Sequence, residues 1–345
     1  MRVRLSLMFV LAALFLWTTG SVSQPAEPAS PAEPLPPAEP VSAAEVYENA
    51  MELVEKGEYR DALGLLQIVV ADSANFADAY YNLGFIFERL EAADSARMAY
   101  EAALSLDSTL VMAHYGLGTL SLRGAEYDVA VTHLRKAVGY DPSFAGAYLN
   151  LGTALEATND LDGAIVSLQK ATELRPDYTD AYYQLAATKY RKAASSSDYP
   201  GVIEVYEKAV ELDPQHVNVS VAYFYLARMY LATKQYDMAV AAADNAVKVR
   251  PDLAQACFVK GKALVALGKN EEAIEAYKEA IEKKTPYGSA HYALARLYQS
   301  TEQYKLALEE YKAAAEDESF PGAENAQKAA KSIEDYLKKK AESGG

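Results

Sequence analysis

A small residue returns every 34 positions along most of this chain: Ala50, Gly84, Gly118, Gly152, Ala186, Ala227, Gly261 and Ala295, with one step of 41. A second series, Ala62, Ala96, Ala130, Ala164, Val202, Ala239, Ala273 and Ala307, keeps the same period except for steps of 38 and 37. A fixed period of this length marks a row of like supersecondary units and excludes a single-core globular fold. The seven extra residues divide into four around 194–197 and three around 217–219. Residues 43–321 then hold eight units: 43–76, 77–110, 111–144, 145–178, 179–216, 220–253, 254–287 and 288–321.

Each unit carries two blocks of helical spacing. Tyr148, Leu151, Gly152 and Leu155 fall at i, i+3, i+4 and i+7, one face of a helix. Asn159-Asp160 breaks the run, and Ala164, Leu168 and Ala171 mark a second helix. Pro176 ends it, as Pro142, Pro214 and Pro251 do in their units, because proline lacks the N–H and clashes with the preceding turn. Small residues on the first helix facing alanines on the second let two antiparallel backbones approach closely. One hairpin cannot bury both its faces, so the units must stack into an all-α solenoid of antiparallel helix pairs. Residues 322–345 read as a capping helix and tail, with Ala326, Ala329, Ile333 and Tyr336 on one face. Lys331 and Lys338, Lys339 and Lys340 suggest a membrane surface instead, but Glu324, Glu334 and Asp335 weaken that alternative.

Tyr80-Tyr81-Asn82-Leu83-Gly84, Tyr148-Leu149-Asn150-Leu151-Gly152 and the run Ala307, Tyr311, Ala314 carry a family resemblance. Over about 279 of its 345 residues the chain resembles tetratricopeptide repeat (TPR) proteins. The resemblance implies a right-handed superhelix whose first helices line a concave face, and a protein-interaction scaffold. Position 5 of the first helix would line that groove with Tyr47, Tyr81, Tyr115, Leu149, Tyr183, Phe224, Phe258 and Tyr292. These rings can stack on peptide side chains or sugars, or simply pack on the neighbouring repeat. A partial polar row, Asn82, Asn150 and Gln184, accompanies them. Position 9 runs Met51, Phe85, Thr119, Thr153, Ala187, Arg228, Lys262 and Arg296, ending in three cations at 34-residue spacing. Arg89, Arg123 and Arg191, at position 13, are expected on the same surface. Either the three cations receive an acidic segment, for which a planar guanidinium is suited, or they pair with acids such as Glu271, Glu272 and Glu302. The carboxylate clamp of chaperone-binding TPR proteins needs Lys at position 5 with Asn at position 9, and no unit has it. The asparagine row of sugar-transferase repeat proteins is incomplete, and 24 residues after 321 leave no room for a catalytic domain.

The N-terminus has other composition. Arg2 and Arg4 precede a thirteen-residue apolar run from Leu5 to Trp17. Such a helix spans roughly 20 Å, short of a hydrocarbon core of about 30 Å. With Ser21-Val22-Ser23 as a small-x-small site, residues 1–23 read as a cleaved secretory signal, the alternative being an uncleaved anchor. No cysteine stands near the site to take a lipid. Residues 24–42 hold seven of the fourteen prolines and Pro-Ala-Glu-Pro at 25–28, 31–34 and 37–40, a spacer suited to polyproline II. The expected product is exported, periplasmic or extracellular, soluble and without its only tryptophan, Trp17. Loss of two arginines and no acid takes its charge from −15 to −17. That field repels phosphate backbones, so no nucleic acid is expected, nor stable membrane insertion after cleavage.

Nothing points to catalysis, a cofactor or a metal. His114, His133, His216 and His291 are scattered, and HExxH, GxSxG and Gly-rich phosphate loops are absent. His114, His291 and Cys257 occupy a core position of the first helix, and a lone cysteine closes no internal disulfide. Asn218-Val219-Ser220 forms a glycosylation sequon. The sequence therefore reads as an exported scaffold holding an extended, acidic peptide segment of a protein partner. Glycan binding through the tyrosine ladder, or a non-catalytic subunit of an envelope enzyme or assembly, are the alternatives.

Overall fold

The computed structural model describes residues 42–343, and the expected signal and nearly all of the expected spacer lie outside them. Sixteen helices form eight antiparallel pairs. They are α1 (Ala43–Glu55) with α2 (Tyr59–Asp72), α3 (Ala77–Arg89) with α4 (Ala93–Leu106), α5 (Val111–Arg123) with α6 (Tyr127–Tyr140), and α7 (Ala145–Ala157) with α8 (Leu161–Leu174). Next come α9 (Thr179–Lys192) with α10 (Tyr199–Leu212), α11 (Val219–Ala232) with α12 (Tyr236–Val249), α13 (Ala254–Ala266) with α14 (Asn270–Lys283), and α15 (Gly288–Ser300) with α16 (Tyr304–Glu316). A last helix, α17 (Ala323–Ser343), follows. The first helices of successive pairs approach one another more closely than the second helices do, so the stack curves with the first helices inside.

Seven of the eight turns within pairs share one geometry. Gly57, Glu91, Ala125, Asn159, Lys234, Gly268 and Glu302 all have φ between 57° and 78°, in the left-handed region. The next residue's N–H reaches the carbonyl five residues back, as from Ala92 to Phe87 (2.8 Å) and from Gln235 to Tyr230 (2.8 Å). This Schellman closure satisfies the carbonyls a helix end would otherwise leave bare.

The recurring glycines are sites of close approach. A Cβ on Gly118 or Gly152 would stand 2.5 Å from the Leu134 or Leu168 side chain, and one on Gly84 would stand 2.5 Å from the Tyr100 ring. The second helix thus lies its largest core residue across a bare stretch of the first.

The fifth unit differs. Its turn is replaced by a 3-10 turn, Ser196–Asp198, with a capping box between Ser195 and Asp198. The extra residues around 194–197 therefore form a structured connection, closed by Asp198 accepting from the Ala194 and Ser195 N–H groups at 3.0 Å. Val219, placed in the second insertion by the spacing, is the buried first residue of α11. At the C-terminus Ala326, Ala330 and Ile333 of α17 cover the last pair. There the buried Asp317 ties the end of α16 to the start of α15: its carboxylate accepts from Gly288 N (2.7 Å) and from Ser319 N (3.0 Å).

Candidate partner-binding groove

The polar row is spent within the stack. Asn82 Nδ2 donates to Tyr47 Oη (2.8 Å), Asn150 Nδ2 to Thr119 Oγ1 (3.2 Å), and Gln184 Nε2 to the Glu156 carboxylate. Each bond crosses a repeat boundary, so these amides staple neighbouring units together. The position-5 rings are likewise engaged, several of them with an aromatic residue at or near the end of their own unit. Tyr47 meets Phe76 (4.6 Å between centroids), Tyr115 meets Phe144 (4.7 Å), Phe258 meets Tyr287 (5.5 Å) and Tyr292 meets Phe320 (5.6 Å). Tyr81 packs on Tyr100 and Phe224 on Tyr225. Tyr183 is corrected: only 4% exposed, it stacks on His216 at 4.2 Å and donates to the Asp213 carbonyl, so it does not face the groove.

The cations fall into two groups. Arg123 pairs with Glu88, whose carboxylate also accepts from Tyr100. Two repeats later, 68 residues on, Arg191 reaches Glu156 at 3.5 Å and Asn159 Oδ1 at 2.9 Å. Thr188, fully buried, donates to the same Glu156 (3.1 Å). Arg89 lies over the Phe85 ring. The positive surface expected from these arginines is corrected for Arg123 and Arg191, which acids on the preceding first helix neutralise, whereas Arg89 forms no ion pair with a described residue.

Arg228, Lys262 and Arg296 are exposed and form no ion pair with any described residue. Pairing with Glu271, Glu272 or Glu302 does not occur. The reason lies in the sequence of the inner stripe. Where the first helices preceding Arg123 and Arg191 carry Glu88 and Glu156, those preceding Arg228, Lys262 and Arg296 carry Tyr190, Leu231 and Val265. Arg228 instead lies over Phe224 (5.6 Å) and Tyr190 (5.8 Å), and Lys262 over Phe258 (5.7 Å). Lys262 and Arg296 stand on one pocket of about 610 Å³, walled by Phe258, Tyr277, Tyr292 and Phe320. A positive rim around an aromatic wall suits a ligand with both carboxylates and apolar groups.

Two histidines read as scattered are in contact: His114 Nδ1 and His133 Nδ1 are 3.0 Å apart. His114 Nε2 faces the Ser108 carbonyl (3.1 Å), so it carries the proton, and His114 Nδ1 accepts from His133. Burial lowers both pKa values, that of His133 to about 4, with His114, Lys136 and Arg97 adding to the effect. Cys257 is fully buried and burial pushes its thiol up to about 11, the behaviour of a core residue rather than a nucleophile. Among the described residues no three His, Cys, Asp or Glu side chains group as metal ligands, and no helix is long and apolar enough to cross a membrane.

The fold is that of a helical-repeat scaffold, and comparison with known proteins gives the family. Tetratricopeptide repeat models match residues 47–110, 157–192, 261–301 and 288–316. A model described as anaphase-promoting complex, cyclosome, subunit 3 matches residues 195–280. The chain belongs to the tetratricopeptide repeat family, a class of protein-interaction scaffolds. Small glutamine-rich tetratricopeptide repeat-containing protein 2 of Mycosarcoma maydis is 37% identical over 91 residues, 26% of this chain and 25% of that protein. Its Saccharomyces cerevisiae counterpart is 33% identical over 91 residues, with the same shares. The chain thus spans about a quarter of the length of these curated relatives. The crystal structure of YrrB, described as a TPR protein with an unusual peptide-binding site, matches 55% of this chain and 95% of its own. At 22% identity and a TM-score of 0.50 it supports the fold alone.

Proposed function

We propose that this protein is an exported scaffold that holds an extended acidic segment of a partner in the last three units of its inner stripe. The observation that carries this is the contrast between the two groups of cations. Arg123 and Arg191 have acids beside them, whereas Arg228, Lys262 and Arg296 have aromatic rings and no ion pair among the described residues. In a chain of net charge −15, three such cations in register form a local site for carboxylates.

The test is fluorescence anisotropy of a labelled glutamate-rich peptide with the protein, beside the variant Arg228→Glu, Lys262→Glu, Arg296→Glu checked for helical circular dichroism. Binding should weaken about tenfold or more between roughly 50 and 300 mM salt and be lost in the variant, since exposed charge attraction is screened within about 10 Å at 0.1 M. Equal binding by a folded variant overturns the proposal. Export is tested separately: protein recovered outside the cytoplasm should show tyrosine emission only, and tryptophan emission would mean that Trp17 was retained.

A further inference from the structure

The last three units present one motif in the same register: a ring at position 5 and a cation one helical turn on. The pairs are Phe224 with Arg228, Phe258 with Lys262, and Tyr292 with Arg296. The first helices bearing them pack in sequence, α11 on α13 and α13 on α15. Axes of helices packed side by side lie about 8–10 Å apart, so the cations recur along the groove at about that interval.

That interval selects a backbone conformation. A polyproline II helix rises about 3.1 Å per residue with three residues per turn, so every third side chain lies on one face, about 9 Å from the last. In a β-strand, residues three apart point to opposite faces, and same-face neighbours stand only about 7 Å apart. The rings favour the same answer, since grooves lined by aromatic side chains accept proline rings and a preformed polyproline II chain loses little entropy on docking. Around Lys262 and Arg296 those rings form a pocket wide enough for such side chains, about 610 Å³.

We infer that the partner segment is a proline-rich, acidic polyproline II helix with a carboxylate at every third residue. Its carboxylates meet Arg228, Lys262 and Arg296 in turn, and its prolines lie against Phe224, Phe258 and Tyr292. This rests on the acidic-groove reading above and narrows it to one conformation and spacing.

The experiment compares three labelled peptides of equal charge by anisotropy with the whole protein. One has four Glu-Pro-Pro triplets, one has the same residues with the four glutamates adjacent, and one has four flexible Glu-Gly-Ser triplets. The register-matched proline peptide should bind about tenfold or more tighter than either of the others, a difference of about 1.4 kcal/mol. Phe258→Ala should weaken the proline peptide while leaving the Glu-Gly-Ser peptide nearly unchanged. If the Glu-Gly-Ser peptide binds as tightly as the proline peptide, the conformational inference falls and the acidic groove stands. Tighter binding of the adjacent-glutamate peptide likewise overturns the spacing. Failure of all three to bind overturns both readings.

Discussion

His133 donates through Nδ1 to His114 Nδ1 across 3.0 Å, joining the two helices of the third pair, and both rings are neutral in this arrangement. Protonating the acceptor would set two N–H groups against each other beside Lys136 and Arg97. A histidine whose folded pKa lies below its unfolded value of 6.5 binds fewer protons folded than unfolded between the two values. Stability therefore falls as pH drops from about 6.5 towards about 4, the value for His133. The loss should be on the order of 1–2 kcal/mol, allowing for the partial exposure of His133. Urea denaturation at pH 7 and pH 5 measures it. His133→Gln, which keeps a donor but does not titrate, should flatten the dependence; an unchanged slope would refute this origin.

The glycines of the repeat divide by surroundings, and alanine should divide them by sign. Gly118→Ala and Gly152→Ala drive a methyl to 2.5 Å from a leucine and should cost about 1–3 kcal/mol. At Gly64, exposed within α2, an added methyl would meet nothing within 4 Å, and Gly64→Ala should gain about 0.5–1 kcal/mol. Thermal melts of the three variants decide the matter.

Ala125 and Lys234 hold left-handed backbone, with φ of 57° and 64°, that glycine adopts without penalty. Ala125→Gly and Lys234→Gly should each stabilise by about 0.5–1 kcal/mol, the relief of the Cβ clash exceeding the added entropy of the unfolded chain. A lowered melting temperature in both would contradict the turn geometry.

Glu156 serves Gln184, Thr188 and Arg191 together. Glu156→Ala removes an acceptor shared by all three across the repeat boundary and should cost about 1–2 kcal/mol, although the Thr188 hydroxyl keeps the Gln184 carbonyl (2.8 Å). Arg228→Ala, by contrast, removes an exposed side chain without an ion pair among the described residues and should shift stability by less than about 0.5 kcal/mol. Equal losses from the two would mean that Arg228 is structural.

Cys257 should be silent to thiol reagents in the folded protein and react on unfolding, because its thiol is buried and its pKa is pushed up to about 11. Stoichiometric labelling under native conditions would contradict this burial.

Much of the fold is legible from periodicity, because position 8 must be small wherever Tyr100, Leu134, Leu168 or Tyr277 lies across it. The turns are less so. Gly57, Asn159 and Gly268 advertise left-handed backbone, whereas Glu91, Ala125, Lys234 and Glu302 adopt it only because the Schellman closure demands it. At the site, the three cations stand out along the 34-residue register. The fate of Arg123 and Arg191 does not, since it depends on carboxylates 35 residues away. The histidine contact is hidden for a related reason: it joins residues 19 apart across a helix pair, a step that no single-helix period displays. His291 and Glu310 (2.6 Å) use the same step, as do Tyr292 and Tyr311.

The fifth unit has a consequence for how a binding event spreads. Of all the junctions between successive pairs, that of α10 with α11 brings the fewest backbone positions together, and it follows the one pair whose Schellman turn is replaced. A single buried cluster nevertheless runs through it, from Tyr183 and Tyr206 to Leu226 and Met229. In a linear array, cooperativity is handed from neighbour to neighbour. A ligand seated on Arg228, Lys262 and Arg296 would therefore slow amide exchange in the fifth pair as well as in the three units that hold it, side chains carrying the effect where the backbones stand apart.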